Sequence, residues 1–385
     1  MEYYKSLKTE IRFNNTQRTQ YFKTIGVCRF VYNLYLNQII EHYKNTNKFL
    51  SAYEFEKYLN HIYLKDNPDK KWIKEVSQKA VKQSILNCET AFKNFFREFK
   101  KNKKAGYPKY KKRGKNDCSY YAFVNIHVKN NKIKVPLLNW IKIKEKGYIT
   151  EDLNIVNIHI DYKAGRFFIS VLVKIEKQSN PIQENINEPI GIDLGINKFA
   201  TLSNGTIYKN INKVKKVIKL NKSIKHQQKS LSRKLEIKKK GKSQSIKNIE
   251  KNILKIQCLF LRKSNIKIDY LNQIINEIVK TKPSKIVLED LNIKWMLKNR
   301  HLSRAISEQS FYDFRNKLEQ KCKELGIKVI TANRFYPSSK KCSKCGYVHK
   351  DLKLKDRVFI CPSCGFEIDR DLNASINLKN YSNTG

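Results

Sequence analysis

The chain reads as a multidomain α+β protein. Three observations predict this. Over the first 175 residues the apolar pattern passes from alternation to helical spacing and back to alternation. After a polar stretch near residue 180, short apolar strands and long helical patterns follow one another, as in an α/β domain. Four cysteines in two Cys-x2-Cys pairs sit inside that second half.

Taken in order, residues 3–13 alternate loosely and predict a strand, broken by Asn-Asn-Thr, with Thr16 as the expected helix cap. From Gln17 to Lys104 the spacing is helical. Phe30, Val31, Leu34, Ile39 and Ile40 form one apolar stripe, and Ile85, Leu86, Phe92, Phe95, Phe96 and Phe99 form another. Residues 100–115 are a basic loop carrying Gly106, Pro108 and Gly114, with Tyr107 and Tyr110 among its lysines. Basic loops with aromatics suit a phosphate backbone and stacked bases. Residues 119–175 return to short alternating runs and predict an antiparallel barrel or sandwich. The N-terminal strand joins it and the helices become an insertion. The linker-like stretch 178–189 leads to a new domain that opens at Pro189.

Charge bounds the partner. With 79 Lys+Arg against 34 Asp+Glu, the formal net charge is +45, which opposes compaction unless a polyanion offsets it. Nucleic acid is that polyanion. Between Ile211 and Lys263 the excess is concentrated in what reads as a basic helical hairpin. Val214, Ile218, Ile224, Leu231 and Leu235 mark one stripe, and Ile246, Ile249, Ile253, Ile256 and Phe260 the other. The opening residues lack the apolar core of a secretory signal, and no apolar run of 18 residues exists, so a cytoplasmic protein, nucleoid-associated when on DNA, is expected. Cys28, Cys88, Cys118, Cys258 and Cys322 are scattered and fit reduced thiols without a function.

Two constellations carry chemistry. Cys342, Cys345, Cys361 and Cys364 have the spacing of a four-cysteine zinc ribbon. With every position filled by sulfur, the zinc would be structural. The second constellation is acidic. In the run Gly191–Ile196, alternation sends Ile192, Leu194 and Ile196 to one face and Asp193 to the other, between two glycines that permit a close approach. Glu289 stands at the C-terminal end of a short core strand, and Asp371 opens a short helix, with Asp369 its near rival. A strand acid, a strand-end acid and a helix-start acid, in that order, suggest an RNase H-like nuclease fold. There, carboxylates converge on two Mg2+ ions, with Mn2+ as a substitute.

These residues resemble the TnpB (OrfB-type) family of transposon-encoded nucleases with a RuvC-like domain, related to type V CRISPR effectors. The likeness is carried by GIDLGINKFATLSNG, IVLEDLNIKWM, LSRAISEQSFYDFRNKLEQKCKELG, RFYPSSKKCSKCG, DRVFICPSCG and DRDLNASINL, with softer matches over nearly the whole chain. The resemblance implies an RNA-guided DNA endonuclease. A guide RNA from the transposon end pairs with target double-stranded DNA beside a short flanking motif, and a separate transposase is encoded by the same element. It places Asp193, Glu289 and Asp371 on the catalytic, magnesium-holding acids, and the four cysteines on the zinc ligands. It also implies a β-barrel wedge domain at 1–16 and 115–180, a helical recognition domain at 17–114, a RuvC-like domain at 186–340 and 366–385, and a zinc ribbon at 341–365. Lys79, Lys82 and Gln83, on one helix, are candidate readers of the flanking motif. Lys267, Asn272 and Gln273 stand where family members often carry Arg, His and Lys, which bears on nucleic-acid grip more than on the reaction. The acids alone do not separate a guided nuclease from a strand-transfer transposase or a guide-free junction resolvase. An intact triad argues against a catalytically dead regulator.

Overall fold

The computed structural model describes residues 2–102, 105–114, 117–176, 187–240, 245–353 and 356–381. The chain divides into two compact units, Met1–Gln178 and Ser179–Gly385. The expected linker lies largely outside the described residues.

The first unit begins with β1 (Glu2–Arg12) and α1 (Asn15–Thr46). Asn14, not Thr16, is the cap. Its side chain accepts from the Gln17 backbone N–H at 2.8 Å while the Gln17 side chain accepts from the Asn14 N–H at 3.0 Å. The helical region expected from residue 17 to 104 is made of several helices with defined breaks. Asn47 turns left-handed at φ 56°, and Ser51 and Glu54 form a new capping box for α2 (Ala52–Tyr58). A π turn over Leu59–Tyr63, α3 (Leu64–Asp66) and a 3-10 turn over Pro68–Glu75 lead to α4 (Gln78–Asn102). Pro68 explains that interruption, because the residue before a proline is pushed out of helical geometry; Asn67 has ψ 73°. Val31, Tyr35, Leu36, Phe55, Ile85, Cys88 and Phe92 make the helical core. Leu86, Phe96 and Phe99, expected in the buried stripe, are exposed.

The strands that follow are β2 (Tyr120–Ala122), β3 (His127–Lys129), β4 (Lys132–Val135), β5 (Asn139–Ile143), β6 (Asn154–Lys163) and β7 (Arg166–Glu176). With β1 they form a seven-stranded antiparallel sheet of order β2-β6-β7-β1-β5-β4-β3. The helices therefore enter as an insertion after the sheet's own central strand. Alternation is strict where one face is covered: in β7, Phe167, Ile169, Val171 and Val173 are buried while their neighbours are half-buried. Gln17 ties α1 to this sheet by donating to the Leu138 and Trp140 carbonyls.

The second unit runs β8 (Ile190–Leu194), β9 (Lys198–Leu202), β10 (Ile207–Lys209), α5 (Lys215–Lys239), α6 (Ile246–Lys280), β11 (Lys285–Glu289), α7 (Ile293–Met296), α8 (Ser303–Gln309), α9 (Phe311–Leu325), β12 (Lys328–Ala332), β13 (Val358–Ile360), β14 (Glu367–Asp369) and α10 (Arg370–Lys379). Five strands form a sheet of order β10-β9-β8-β11-β12, antiparallel from β10 to β8 and parallel from β8 through β12. On one face Ile192, Ile286 and Leu288 pack with Leu271, Ile274 and Ile278 of α6 and Phe314 and Leu318 of α9. On the other face Val287 packs with Leu378 of α10. The hairpin is present, but its seam is shifted: Val217, Leu220 and Ile224 are buried, whereas Val214, Ile218 and Leu235 are exposed. In α6, Ile249 and Ile256 are buried but Ile246, Ile253 and Phe260 are exposed. The helix runs on to Lys280, so its second half covers the sheet and the first half answers to the hairpin. Among the described residues, no helix is long and apolar enough to cross a membrane.

Candidate active site and cysteine centre

Register brings the first two acids together. In the parallel pairing of β8 with β11, Gly191 lies beside Val287 and Ile192 beside Leu288, so Asp193 follows beside Glu289. Residues level with each other on parallel strands share a face. Ile192 and Leu288 belong to the core under α6 and α9. Asp193 and Glu289 thus point the other way, to the side that α10 covers.

Gly191 explains how α10 comes so close. A Cβ built on it would stand 2.0 Å from the Ser375 carbonyl oxygen, 2.4 Å from the Lys379 backbone nitrogen and 3.0 Å from the Leu378 carbonyl carbon. Only glycine admits the helix at this spacing. Asp193 lies two residues along the same strand face, and Asp371 one turn back along the helix. The helix lying on Gly191 therefore carries Asp371 toward Asp193. Gly195 faces the hairpin backbone instead, with Lys198 O at 3.0 Å from its built Cβ.

The electrostatics agree with this convergence. Burial, then the charges of Glu289 and Asp371, hold Asp193 well above the usual carboxylate range. Burial also raises Glu289, against the Ser338 hydroxyl, which donates to its carboxylate, and Arg370, whose charge lowers it. Asp369 has a different task. It caps α10 by accepting from the Asp371 and Leu372 N–H groups at 3.0 and 3.1 Å, and it pairs with Lys198 at 2.7 Å. Burial raises its carboxyl, but Lys198 and the capped amides outweigh that and lower it. Lys198 also stands 3.8 Å from Asp371. Ser338, Lys198 and Arg370 went unnoticed in the sequence. Arg370 alone had a local signal, its place in the Asp-Arg-Asp run at 369–371.

The cysteines form the second centre. The Sγ atoms of Cys342, Cys345, Cys361 and Cys364 all lie within 4.8 Å of one another, with Cys342–Cys364 at 3.8 Å and Cys345–Cys361 at 3.5 Å. A tetrahedral ion with metal–sulfur bonds of about 2.3 Å needs sulfurs roughly 3.8 Å apart, so the group fits zinc. Among the described residues this is the one set of three or more Cys, His, Asp or Glu ligands gathered so tightly. The two knuckles match: Gly346 donates to the Cys342 carbonyl and Gly365 to the Cys361 carbonyl, each at 3.0 Å, with φ of 78° and 66°. Burial raises the Cys361 thiol, but the Cys364 and Ser363 amides and neighbouring thiols bring it down to about 7.

The two centres share α10. Asn377 donates to the Ser338 carbonyl at 2.8 Å and the Lys341 carbonyl at 2.6 Å. Asn373 donates to the Lys341 carbonyl at 2.7 Å and accepts from the Ser343 N–H at 3.0 Å. The polar side of the helix is thus fastened to the segment that begins the first knuckle.

The remaining candidates are engaged within the chain. Lys79 sits over the Phe123 ring at 5.1 Å, Lys82 pairs with Glu56 at 2.9 Å, and Gln83 donates to Asn87 at 3.0 Å. Tyr107 packs edge-on against Phe92 and Phe95, and Tyr110 donates to Asn37. Lys267 donates to the Glu308 carbonyl at 2.6 Å, with burial and Lys263 lowering its ammonium. Asn272 accepts from Lys317 at 2.9 Å, and Gln273 donates to Asp269 at 3.0 Å.

Comparison with known proteins gives three family matches: a "Probable transposase" pattern (OrfB_IS605) at residues 170–300, a "Cas12f1-like, TNB domain" at 311–378, and a "Helix-turn-helix domain" at 1–48. Here residues 1–48 fold as a strand and one long helix rather than two short helices. An Escherichia coli K12 protein named "Putative RNA-guided DNA endonuclease InsQ" is 28% identical over 98% of this chain and 92% of its own length. A Streptomyces pristinaespiralis protein with the same description is 29% identical over 94% and 85%. The fold is similar to that in the cryo-EM structure of a Cas12f1–sgRNA–target DNA complex, with TM-score 0.55, 16% identity, and coverage of 95% of this chain and 82% of that one.

Proposed function

We propose that this chain, which matches the OrfB_IS605 pattern over residues 170–300, is an RNA-guided DNA endonuclease of the OrfB (TnpB) type whose hydrolytic centre is Asp193, Glu289 and Asp371. One placement supports the residue assignment: the pairing of Ile192 with Leu288 on parallel strands sets Asp193 level with Glu289, and the helix that opens with Asp371 lies on Gly191. Three carboxylates gathered with only Lys198 and Arg370 to offset them would be costly in a metal-free protein. The same arrangement is favourable for hard cations, which prefer oxygen ligands. Two Mg2+ ions held there would steady the attacking and leaving oxygens of a phosphodiester hydrolysis.

The chain's own residues set the geometry. The Ser338 hydroxyl orients Glu289, and Asp369 with Lys198 fixes the first turn of α10 and so the direction of Asp371. Zinc on the four cysteines would hold the ribbon, and through Asn373 and Asn377 the ribbon holds α10. We assign residues 186–340 and 366–385 to an RNase H-like (RuvC) domain, 341–365 to the ribbon, 1–16 and 115–180 to a wedge barrel, and 17–114 to a recognition domain. The pairing of β1 with β5 and β7 across the helices supports the last two. Guide RNA and target DNA are the partners of this reading, and the net charge of +45 suits both.

The test is cleavage by protein purified with transposon-end RNA, offered matched and mismatched DNA with Mg2+. Cutting of matched DNA alone, lost in Asp193→Ala and after RNase treatment, is expected. Cutting that survives RNase removes the guide. Binding without cutting leaves a regulator.

A further inference from the structure

Beside Glu289 lies a cleft of about 460 Å3, within the range of small-ligand sites. Two of its walls are aromatic and strongly exposed: Phe335 is 89% exposed and Trp295 68%. One exposed aromatic would need no explanation, but two flanking one cleft at an acid site do. Neither sits on slack backbone. The Trp295 N–H is held by the Asn292 side chain at 3.1 Å, and the Phe335 N–H by the Asn333 side chain at 2.9 Å. Arg334 also lines the cleft and pairs with Asp290 at 2.6 Å, one residue beyond Glu289. A guanidinium has five N–H donors, so that pair leaves donors for a phosphate.

We propose that this cleft seats a nucleotide of the strand being cut, its base stacked on Trp295 and Phe335 and its phosphate on Arg334; the proposal rests on the nuclease reading. The occupant is a single strand, because a base must leave its duplex stack to meet an aromatic face. A polyanion is favoured over an apolar peptide by the arginine in the wall and the chain's net charge of +45. Trp295 and Phe335 would thereby position the scissile phosphate without touching it.

The test uses the full chain with its RNA and a target strand carrying 5-iodouracil at successive positions near the cut. Irradiation and peptide mass spectrometry should place adducts on Trp295 or Phe335 from one or two positions. Trp295→Ala and Phe335→Ala should each lower kcat/KM by about 5- to 150-fold, the range for losing one base stack. Trp295→Phe and Phe335→Trp should restore most of it. Melting temperatures should not move, since both side chains are exposed. With an abasic site at the crosslinked position, the alanine variants should fall no further than wild type. Adducts elsewhere, or variants that cut as wild type does, overturn the proposal and leave the nuclease reading standing. A wild-type protein that cuts no guide-matched DNA overturns both.

Discussion

Replacing Gly191 by alanine tests the packing on which the acid site depends. The new Cβ would meet Ser375 O at 2.0 Å and Lys379 N at 2.4 Å, far inside contact distance. Both are helix backbone, so no rotamer change relieves them and α10 as a whole must move off β8. Overpacking a close-packed core costs about 1–3 kcal/mol, occasionally more, and a backbone clash belongs at about 3 kcal/mol. For a unit of about 200 residues, each kcal/mol lowers Tm by about 2–4 °C, which gives a fall of about 6–12 °C. The assay is thermal unfolding followed by far-UV circular dichroism, with Gly26→Ala as the matched control. Gly26 lies inside α1 and its built Cβ meets nothing within 4 Å. There the same change should stabilise by about 0.5–1 kcal/mol. Guided cleavage should also collapse in Gly191→Ala, because Asp371 is carried away with the helix. A Gly191→Ala protein melting within about 2 °C of wild type would refute the helix-on-glycine account.

Four further outcomes are expected. Asp193→Asn should raise the Tm of metal-free protein at neutral pH, since it removes a carboxylate facing two others, and should abolish cleavage in the presence of Mg2+. The sign of the pH dependence follows: Asp193 holds its proton in the folded state to higher pH than in the unfolded chain, so metal-free stability should fall as pH rises above the usual carboxylate range, and Mg2+ should flatten that fall; a metal-free protein that gains stability over that range in Tm-against-pH scans would contradict it. Freshly purified protein should contain about one zinc per chain by elemental analysis, and Cys361→Ser should lose it and expose the ribbon to proteolysis. Asn377→Ala strands the buried Ser338 carbonyl, while the Lys341 carbonyl keeps Asn373, costing about 1–3 kcal/mol in denaturant unfolding, and should slow cutting through Ser338.

The cysteine centre was legible in the sequence because its ligands lie in one local pattern, whereas the acids at 193, 289 and 371 are far apart and suggest a site only as an ordered series. Two Cys-x2-Cys pairs give a metal centre by spacing alone, and alternation around Asp193 shows which way it points. The role of Gly191 was half legible: a strand glycine announces a close approach, but nothing in its neighbours says that a helix nearly two hundred residues later is what approaches. The phase of α5 was misread because its lysine-rich faces leave stray apolar residues such as Val214 and Ile218 that continue the spacing without meeting a partner. The breaks between α1 and α4 have local signals, with Asn67-Pro68 the plainest. Trp295 and Phe335 were beyond reach, since periodicity finds aromatics that are buried and is silent on those left outside.

Three duties fall on the ten residues of α10: an acid in its first turn, a backbone face laid on Gly191, and asparagines that hold the Ser338–Ser343 segment. A miniaturised version of this protein could not have its cysteine module trimmed away as an accessory. Shortening the ribbon would slacken the helix from one side while the strands stayed whole, leaving a well-folded sheet with a blunted reaction centre.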